Sequence, residues 1–262
     1  NLCECWAKGT ATIMILGSSC TRNCRFCAVD HGTPMPLDPG EPARVSEAVA
    51  RLNLKYVVIT SVTRDDLTDG GAGQFAATIE EIQRRNGEAV GTEVLTPDFG
   101  GDHENVRTVI RARPTVFNHN IETCRRLTPE IRSGADYDRS LHVLQVAAEL
   151  GAGQVTIKSG LMLGMGETDE EVCEALADLR KAGVTAVTIG QYLPPSGKHW
   201  PLERYVTPDE FDKWEKAARK DFGFDFVASA PRVRSSYMAE ALLTASDYKK
   251  SGLQLESCPV GV

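Results

Sequence analysis

The stretch GSSCTRNCRFCAVD, Gly17 to Asp30, sets Cys20, Cys24 and Cys27 at the spacing C-x3-C-x2-C. Three thiolates within eight residues of a loop are enough to hold three corners of an iron–sulfur cube, which leaves the fourth iron without a protein ligand. A cluster that only carries electrons is normally held by four cysteines, so a three-cysteine set implies that a non-protein molecule takes the last position. Two blander readings compete. Cys24 and Cys27 look like half of a structural zinc site, but zinc takes four ligands, and no second C-x2-C or H-x3-H pair follows. A disulfide framework fits less well. Eight cysteines in 262 residues are sparse, and five of them fall within the first 27 positions, which is the clustering of a metal site.

Just before the loop, Thr10 to Leu16 (TATIMIL) is β-branched or apolar at nearly every position. That pattern predicts a strand buried on both faces in a parallel sheet, with the cysteines past its carboxyl end. Beyond the loop, apolar residues at helical spacing (Val45, Ala48, Val49, Leu52) lead to a second buried strand, Tyr56 to Thr60. The alternation continues with helices over 74–85 and 104–112 and strands over 89–95 and 115–118. A helix over 139–150 leads to a strand over 154–163, and Thr168 with Glu171 forms a capping box opening the next helix. A strand over 186–191 follows, then Thr207-Pro208-Asp209-Glu210, an N-cap with proline at N1 and glutamate at N3. Residues 224–228 suggest one more short strand. Six such repeats imply a parallel α/β sheet with right-handed crossovers. They are too few to close an eight-stranded barrel, so the expectation is a partial (β/α)6 TIM barrel with ligands at the carboxyl ends of its strands.

Length and composition agree with one domain: residues 10–228 as the partial barrel, 1–9 as the remnant of a preceding segment, and 229–262 as a C-terminal segment. The hydrophobic share of 42% and charged share of 25% are those of an ordinary globule. No apolar run approaches the length of a membrane span and no signal peptide is evident, so no membrane partner is expected. The chain should sit in a reducing interior, the cytoplasm or, in a eukaryote, the mitochondrial matrix. A formal net charge of −7 argues against nucleic acid as a partner. The chain begins without a methionine, which suggests that a segment precedes Asn1.

The motifs fall at the predicted strand ends. Strand two runs into Ser61-Val62-Thr63-Arg64-Asp65-Asp66, a ligand-facing turn or a solvated loop. Strand four ends in Asn118-His119-Asn120-Ile121-Glu122, whose alternation would point Asn118, Asn120 and Glu122 to one side. Amides and a carboxylate suit ribose hydroxyls and an amino acid moiety, although asparagine-rich strand ends also serve as turns and caps. His119 reads as a possible core histidine. Strand five carries Lys158-Ser159-Gly160 and ends in Gly164-Met165-Gly166, glycines that suit either a ligand or the turn before a helix. Strand six ends in Gln191-Tyr192-Leu193-Pro194-Pro195. Near the C-terminus Arg234-Ser235-Ser236-Tyr237 would ordinarily cap a helix over 238–243. Cys124 and Cys173 read as buried small hydrophobes or helix positions, and Cys258 has no evident role.

The three-cysteine loop, with the aromatic Phe26 before its third cysteine, resembles the radical S-adenosylmethionine (SAM) superfamily. Taken in order, NLCECW, the cysteine loop, TSVTRDDLTDGGA, NHNIET, KSGLMLGMGET, GQYLPPSGKH and RSSY resemble the lipoyl synthase family across essentially the whole chain. The resemblance implies two 4Fe-4S clusters and SAM as cofactors. Cys20, Cys24 and Cys27 would hold the cluster that binds SAM through its open iron. An auxiliary cluster would be held by an N-terminal cysteine motif, whose third member aligns with Cys5 while the first two fall before residue 1. Its other ligand would be Ser236, the second serine of RSSY. Cys3 falls where the family has no ligand. Thiolate is the better partner for iron–sulfur chemistry than a hydroxyl, and the weaker ligand suits a cluster that comes apart. The implied reaction is insertion of two sulfur atoms, at C6 and C8 of an octanoyl-lysine on a lipoyl carrier protein, drawn from the auxiliary cluster with an external electron donor. Phe26, Ser61, Asn120, Glu122, Lys158 and Gln191 are the expected cofactor-binding residues. The N- and C-terminal extensions are expected to fold over the barrel mouth at the carboxyl ends of the strands. Biotin synthase, without RSSY or the N-terminal cysteine motif, is the neighbouring enzyme, and a non-catalytic metal-binding barrel is the alternative of another class.

Overall fold

The computed structural model describes residues 5–87, 89–237 and 239–242. After one turn of 3-10 helix, Trp6–Lys8, comes β1 (Thr10–Ile15), then two two-residue strands, β2 (Ser19–Cys20) and β3 (Asp30–His31). They are followed by α1 (Glu41–Arg51), β4 (Tyr56–Ser61), α2 (Ala72–Asn86), β5 (Gly91–Leu95), α3 (His103–Arg111) and β6 (Val116–Asn118). The second half comprises α4 (Thr128–Ile131), α5 (Tyr137–Gly151), β7 (Thr156–Leu163), α6 (Asp169–Lys181), β8 (Ala186–Gln191), α7 (Pro208–Lys220) and β9 (Phe226–Ala230). Seven strands form one sheet in the order β1-β4-β5-β6-β7-β8-β9, every neighbouring pair parallel. β1 and β9 are its two edges, so the barrel is open, as expected from the repeat count. Among the described residues no helix is long and apolar enough to cross a membrane.

Alternation along each strand divides the interior in two. Val57 and Ile59 of β4, Val94 of β5, and Val187 and Ile189 of β8 face outward into one continuous core with Phe75, Ile79, Leu176, Leu179 and Trp214 of the helices. Burying a side chain of that size stabilises the fold by ~1.5–3 kcal/mol, and this layer anchors the helices on the sheet. Both capping boxes form: Thr168 and Thr207 accept the N3 amides while Glu171 and Glu210 reach back to the cap amides.

The inward residues of the strands meet residues 239–242. Ala239 packs on Tyr56 and Val58, and Leu242 on Val116 and Ala186. Glu240 accepts from Thr10 Oγ1 at 3.1 Å and pairs with Lys8 Nζ at 3.3 Å. These contacts lie at the first residues of β1, β4, β6 and β8. The described part of the C-terminal segment therefore enters the barrel and packs into its amino-terminal end, where the expectation had the segment across the carboxyl end. The physical reason is that the small inward residues of β8 and β9, with Ala186, Gly190, Ala228 and Ala230 among them, leave room there for a passing chain. Two smaller corrections follow. β1 is not buried on both faces, because it is an edge strand whose inward Thr12 and Met14 look onto open lumen; Met14 is 46% exposed. β9 starts two residues later than expected, because Phe224 is buried and its amide bonds Ala218 O at 3.1 Å, closing α7. Cys3, Cys258 and most of the C-terminal segment lie outside the described residues; of the expected 238–243 helix, residues 239 and 240 form a turn, 241 and 242 are helical, and 238 and 243 lie outside the described residues.

Candidate active site

Left-handed Leu16 (φ 68°) and Gly17 (φ 87°) turn the chain out of β1 into the cysteine loop. Glu41, at the start of α1, anchors that turn by accepting the Leu16 amide at 3.1 and 3.0 Å. β2 pairs with β3, Gly32 N donates to Cys20 O at 3.0 Å, and Cys27 N donates to Cys24 O at 3.0 Å. The loop is thus closed on itself before any metal binds. Cys20 Sγ accepts two backbone amides, from Arg22 at 3.4 Å and Thr63 at 3.3 Å. Behind the loop Arg25 N donates to Ile131 O at 2.8 Å, Trp200 N donates to Arg25 O at 2.7 Å, and the Arg25 guanidinium lies 4.5 Å over the Trp200 ring. His199 Nε2 donates to Cys27 O at 3.1 Å. Arg22 makes paired bonds, all at 2.8 Å, to both Asp65 and Asp98, and Arg139 adds a further bond to Asp98 at 2.9 Å.

The three cysteines open onto one cavity of about 290 Å³ at the carboxyl ends of β1, β4, β5 and β6. Phe26, Ser61, Asn120 and Glu122 line it with them, joined by Met14, Arg22, Thr63, Thr96, Asp98, His119 and Arg132. Asn120 Nδ2 donates to Glu122 Oε1 at 3.1 Å, and Arg132 donates to Asn120 O and Ser140 Oγ at 3.1 Å. Glu122 is left-handed (φ 64°), held there by its amide on Gly160 O at 3.0 Å and its carbonyl accepting Met162 N at 2.9 Å. Three buried polar atoms on the wall have no partner: Ser61 Oγ, Asn120 Oδ1 and His119 Nε2. Since His119 Nδ1 donates to Thr96 O at 2.9 Å, its Nε2 presents a lone pair to the cavity. Buried polar atoms are ordinarily paired, so these three mark the surface a polar ligand would satisfy.

Burial, opposed by the nearby Arg132, pushes the Cys24 thiol up to about 11, and burial raises Cys27 as well. Both are thiols at neutral pH until a metal displaces their protons. Burial also raises Glu122 above its ordinary value, with Arg132 and Asn120 acting the other way. The residues fit the group the spacing implies: three thiols on one cavity wall, with unsatisfied donors and acceptors across from them.

Two expected residues are placed elsewhere. Gln191 spends its side chain on the backbone, donating to Leu163 O, Tyr192 O and Arg204 O at 3.1, 2.9 and 3.2 Å and accepting Val206 N at 2.8 Å. It is a strut for the loop after β8. Lys158 is buried in mid-barrel, paired with Glu93 at 2.8 Å, and does not line the cavity. Cys5 is buried before β1, its carbonyl accepting Thr10 N at 3.0 Å. That places it one residue contact from Glu240, four residues after Ser236. The segments that carry Cys5 and Glu240 come together, but at the amino-terminal end of the barrel, across the lumen from the three cysteines. Cys124 is buried, whereas Cys173 is an exposed helix position.

Asp98, His119 and Arg132 were not expected here. Thr96-Pro97-Asp98 directly follows β5, so the strand-end rule was the available signal. β6 ends at Asn118, and with the alternation broken there His119 reaches the same cavity as Asn120. Arg132 arrives from the end of α4 and had no local signal.

Residues 14–179 match the Radical SAM superfamily model. The chain is 54% identical to the lipoyl synthase of Caldanaerobacter subterraneus subsp. tengcongensis over 244 residues, 93% of this chain and 84% of that protein. It is 56% identical to the lipoyl synthase of Pyrobaculum calidifontis, covering 91% of this chain and 82% of the other. Among solved structures, methylornithine synthase superposes with a TM-score of 0.62 at 13% identity, over 92% of this chain and 81% of that one. The FeFe-hydrogenase maturase HydG from Carboxydothermus hydrogenoformans gives 0.63 at 13%, over 92% and 66%; at such identity both speak to the fold alone. With the cysteine loop at the carboxyl ends of an open parallel barrel and relatives this similar over nearly the whole chain, the protein belongs to the lipoyl synthase family of radical SAM enzymes.

Proposed function

We propose that Cys20, Cys24 and Cys27 hold the 4Fe-4S cluster of a lipoyl synthase, and that Phe26, Ser61, Asn120 and Glu122, with His119, receive SAM beside it. When bound, the cluster and SAM supply the one-electron chemistry that activates unreactive C–H bonds. The residues of this chain do the rest. Backbone amides hold the Cys20 sulfur in place, the Arg22–Asp98–Arg139 array fixes the loop, and Asn120 and Glu122 orient the ligand. The observation that carries this reading is the convergence of three thiols and three unpartnered polar atoms on one cavity.

The substrate we assign is the octanoyl-lysine of a lipoyl carrier protein, with an external reductant. Its chain would pass down the lumen beside Met14 toward the amino-terminal end, where Cys5 and Ser236 would share the auxiliary cluster that is consumed as the sulfur source. The approach of the Cys5 and Ser236 segments through Thr10 and Glu240 supports that placement. The six described cysteines are all free, in keeping with a reducing compartment such as the cytoplasm. In the test, the Cys20→Ala/Cys24→Ala/Cys27→Ala protein loses one cluster's iron and makes no 5′-deoxyadenosine from SAM under a strong reductant. Continued cleavage of SAM by that triple variant would refute the assignment. Free octanoate should turn over far more slowly than the octanoylated carrier, because a lone fatty chain offers little surface for selection.

A further inference from the structure

Three arginines stand around the cavity, and two of them are matched in charge: Arg22 pairs with Asp65 and Asp98, and Arg139 with Asp98. Arg132 is not. It is only 6% exposed and lines the cavity wall. Its bonds go to two neutral oxygens, Ser140 Oγ and Asn120 O, both at 3.1 Å, and further guanidinium N–H groups are left over. Among the described residues no carboxylate is hydrogen-bonded to it; Glu122 and Asp98 act on it only through space. A guanidinium stays charged in a protein, and a buried charge without a partner is strongly unfavourable. An apolar side chain would serve the fold at least as well. The backbone on either side of Arg132 shows which anion it faces. Ile131 O accepts Arg25 N at 2.8 Å, and Ser133 O lies 4.0 Å from Cys24 Sγ. The turn after α4 is therefore fastened to the cysteine loop on both sides of Arg132, at Cys24 and at the residue that follows it.

We propose that Arg132 is the counter-charge of the cluster held by Cys20, Cys24 and Cys27, and that it eases the one-electron reduction of that cluster. The inference rests on the reading of those three cysteines as the cluster's ligands. Three thiolates make the bound core anionic, and the electron from the external donor adds one more negative charge without breaking a bond. Net charge around an iron–sulfur core is one of the levers that set its potential, and a fixed, buried cation beside it favours the reduced state.

The test loads this chain with iron and sulfide in the absence of oxygen and SAM, and follows the reduced cluster by electron paramagnetic resonance through a redox titration. Arg132→Met and Arg132→Gln should each lower the midpoint potential by about 59 mV, a roughly tenfold fall in the reduced-to-oxidised ratio at a fixed potential. Arg132→Lys keeps the charge and should recover most of that shift. In the cluster-free protein Arg132→Met should unfold at the same or a higher urea concentration than wild type, because it removes an unmatched buried charge. Should the methionine variant not fold, Arg132→Gln keeps a donor for Asn120 O and carries the same expectation for the potential. Midpoints of the folded neutral variants equal to wild type overturn the inference. So does a shift that lysine leaves unrecovered, which would trace it to hydrogen bonding rather than charge. Weaker SAM binding at an unchanged SAM-free midpoint also overturns it, giving the arginine to the ligand alone. A wild-type chain without a reducible 4Fe-4S signal would instead sink the reading of the three cysteines.

Discussion

At the scale of single residues the cysteine loop depends on Asp98, whose side chain is fully buried between Arg22 and Arg139. Burial alone would raise its pKa, but the hydrogen bonds and charge of Arg22 outweigh this and hold it well below the usual carboxylate range. The stability it contributes is present above the ordinary aspartate value of about 3.9 and is lost as pH falls below that toward the depressed folded value. Asp98→Ala takes the carboxylate from Arg139 and leaves Arg22 with Asp65 alone, and should cost about 3 kcal/mol in a urea melt at neutral pH, with weaker retention of the first cluster. His119 behaves in the opposite part of the scale. Burial first, and the Arg132 charge second, lower it to about 4. Between about 6.5 and 4 the unfolded chain binds a proton that the folded one refuses, so stability should decline on acidification through that window. His119→Gln should flatten the decline, as read from urea midpoints at pH 7 and pH 5; an equally steep loss in the variant would show that other groups govern it.

Among the elements, α6 and α7 are bounded by side chains rather than by packing alone. Thr168→Ala removes the hydroxyl that accepts the Glu171 amide, while the backbone amide of residue 168 can still donate to the Glu171 carboxylate. A cost of about 1 kcal/mol is expected, visible as a lower denaturation midpoint at unchanged slope. SAM cleavage should be unaltered, because α6 packs on the outer face of β7 and β8 and contributes nothing to the cavity wall. The cysteine loop differs, for it is closed by β2, β3 and the Arg25–Trp200 contact before iron arrives. Its two raised thiols mean that iron loading releases protons. The rate of loading should therefore rise with pH above neutrality, followed by absorbance during anaerobic reconstitution.

For the whole molecule the decisive feature is a stretch after β9, within residues 233–242, threaded into an open barrel. A Cβ on Gly190 would lie 2.3 Å from Val233 O, a backbone atom that side-chain motion cannot move aside. Gly190→Ala should displace the segment that carries Ser236, so that SAM cleavage persists while sulfur insertion fails. Equal lipoyl yield from Gly190→Ala and wild type would mean that the segment need not pass that point.

Hydrophobic periodicity and capping signals determined most of the architecture on their own. Strand and helix order, both capping boxes and the open barrel are readable because they depend on neighbours three or four residues apart. The cysteine spacing is equally local, and Ser61, Asn120 and Glu122 stood at strand ends, where the strand-end rule locates ligands. Lys158 and Gln191 looked the same in sequence, yet one is consumed by Glu93 and Ser235 and the other by four backbone groups, all but one more than ten residues away. Arg132 and Asp98 join the site only through the folding of α4 and the β5 loop. The path of the C-terminal segment had no local signal at all. It is set by the size of the inward side chains on seven strands together, and a lumen of that shape exists only once the sheet has curved.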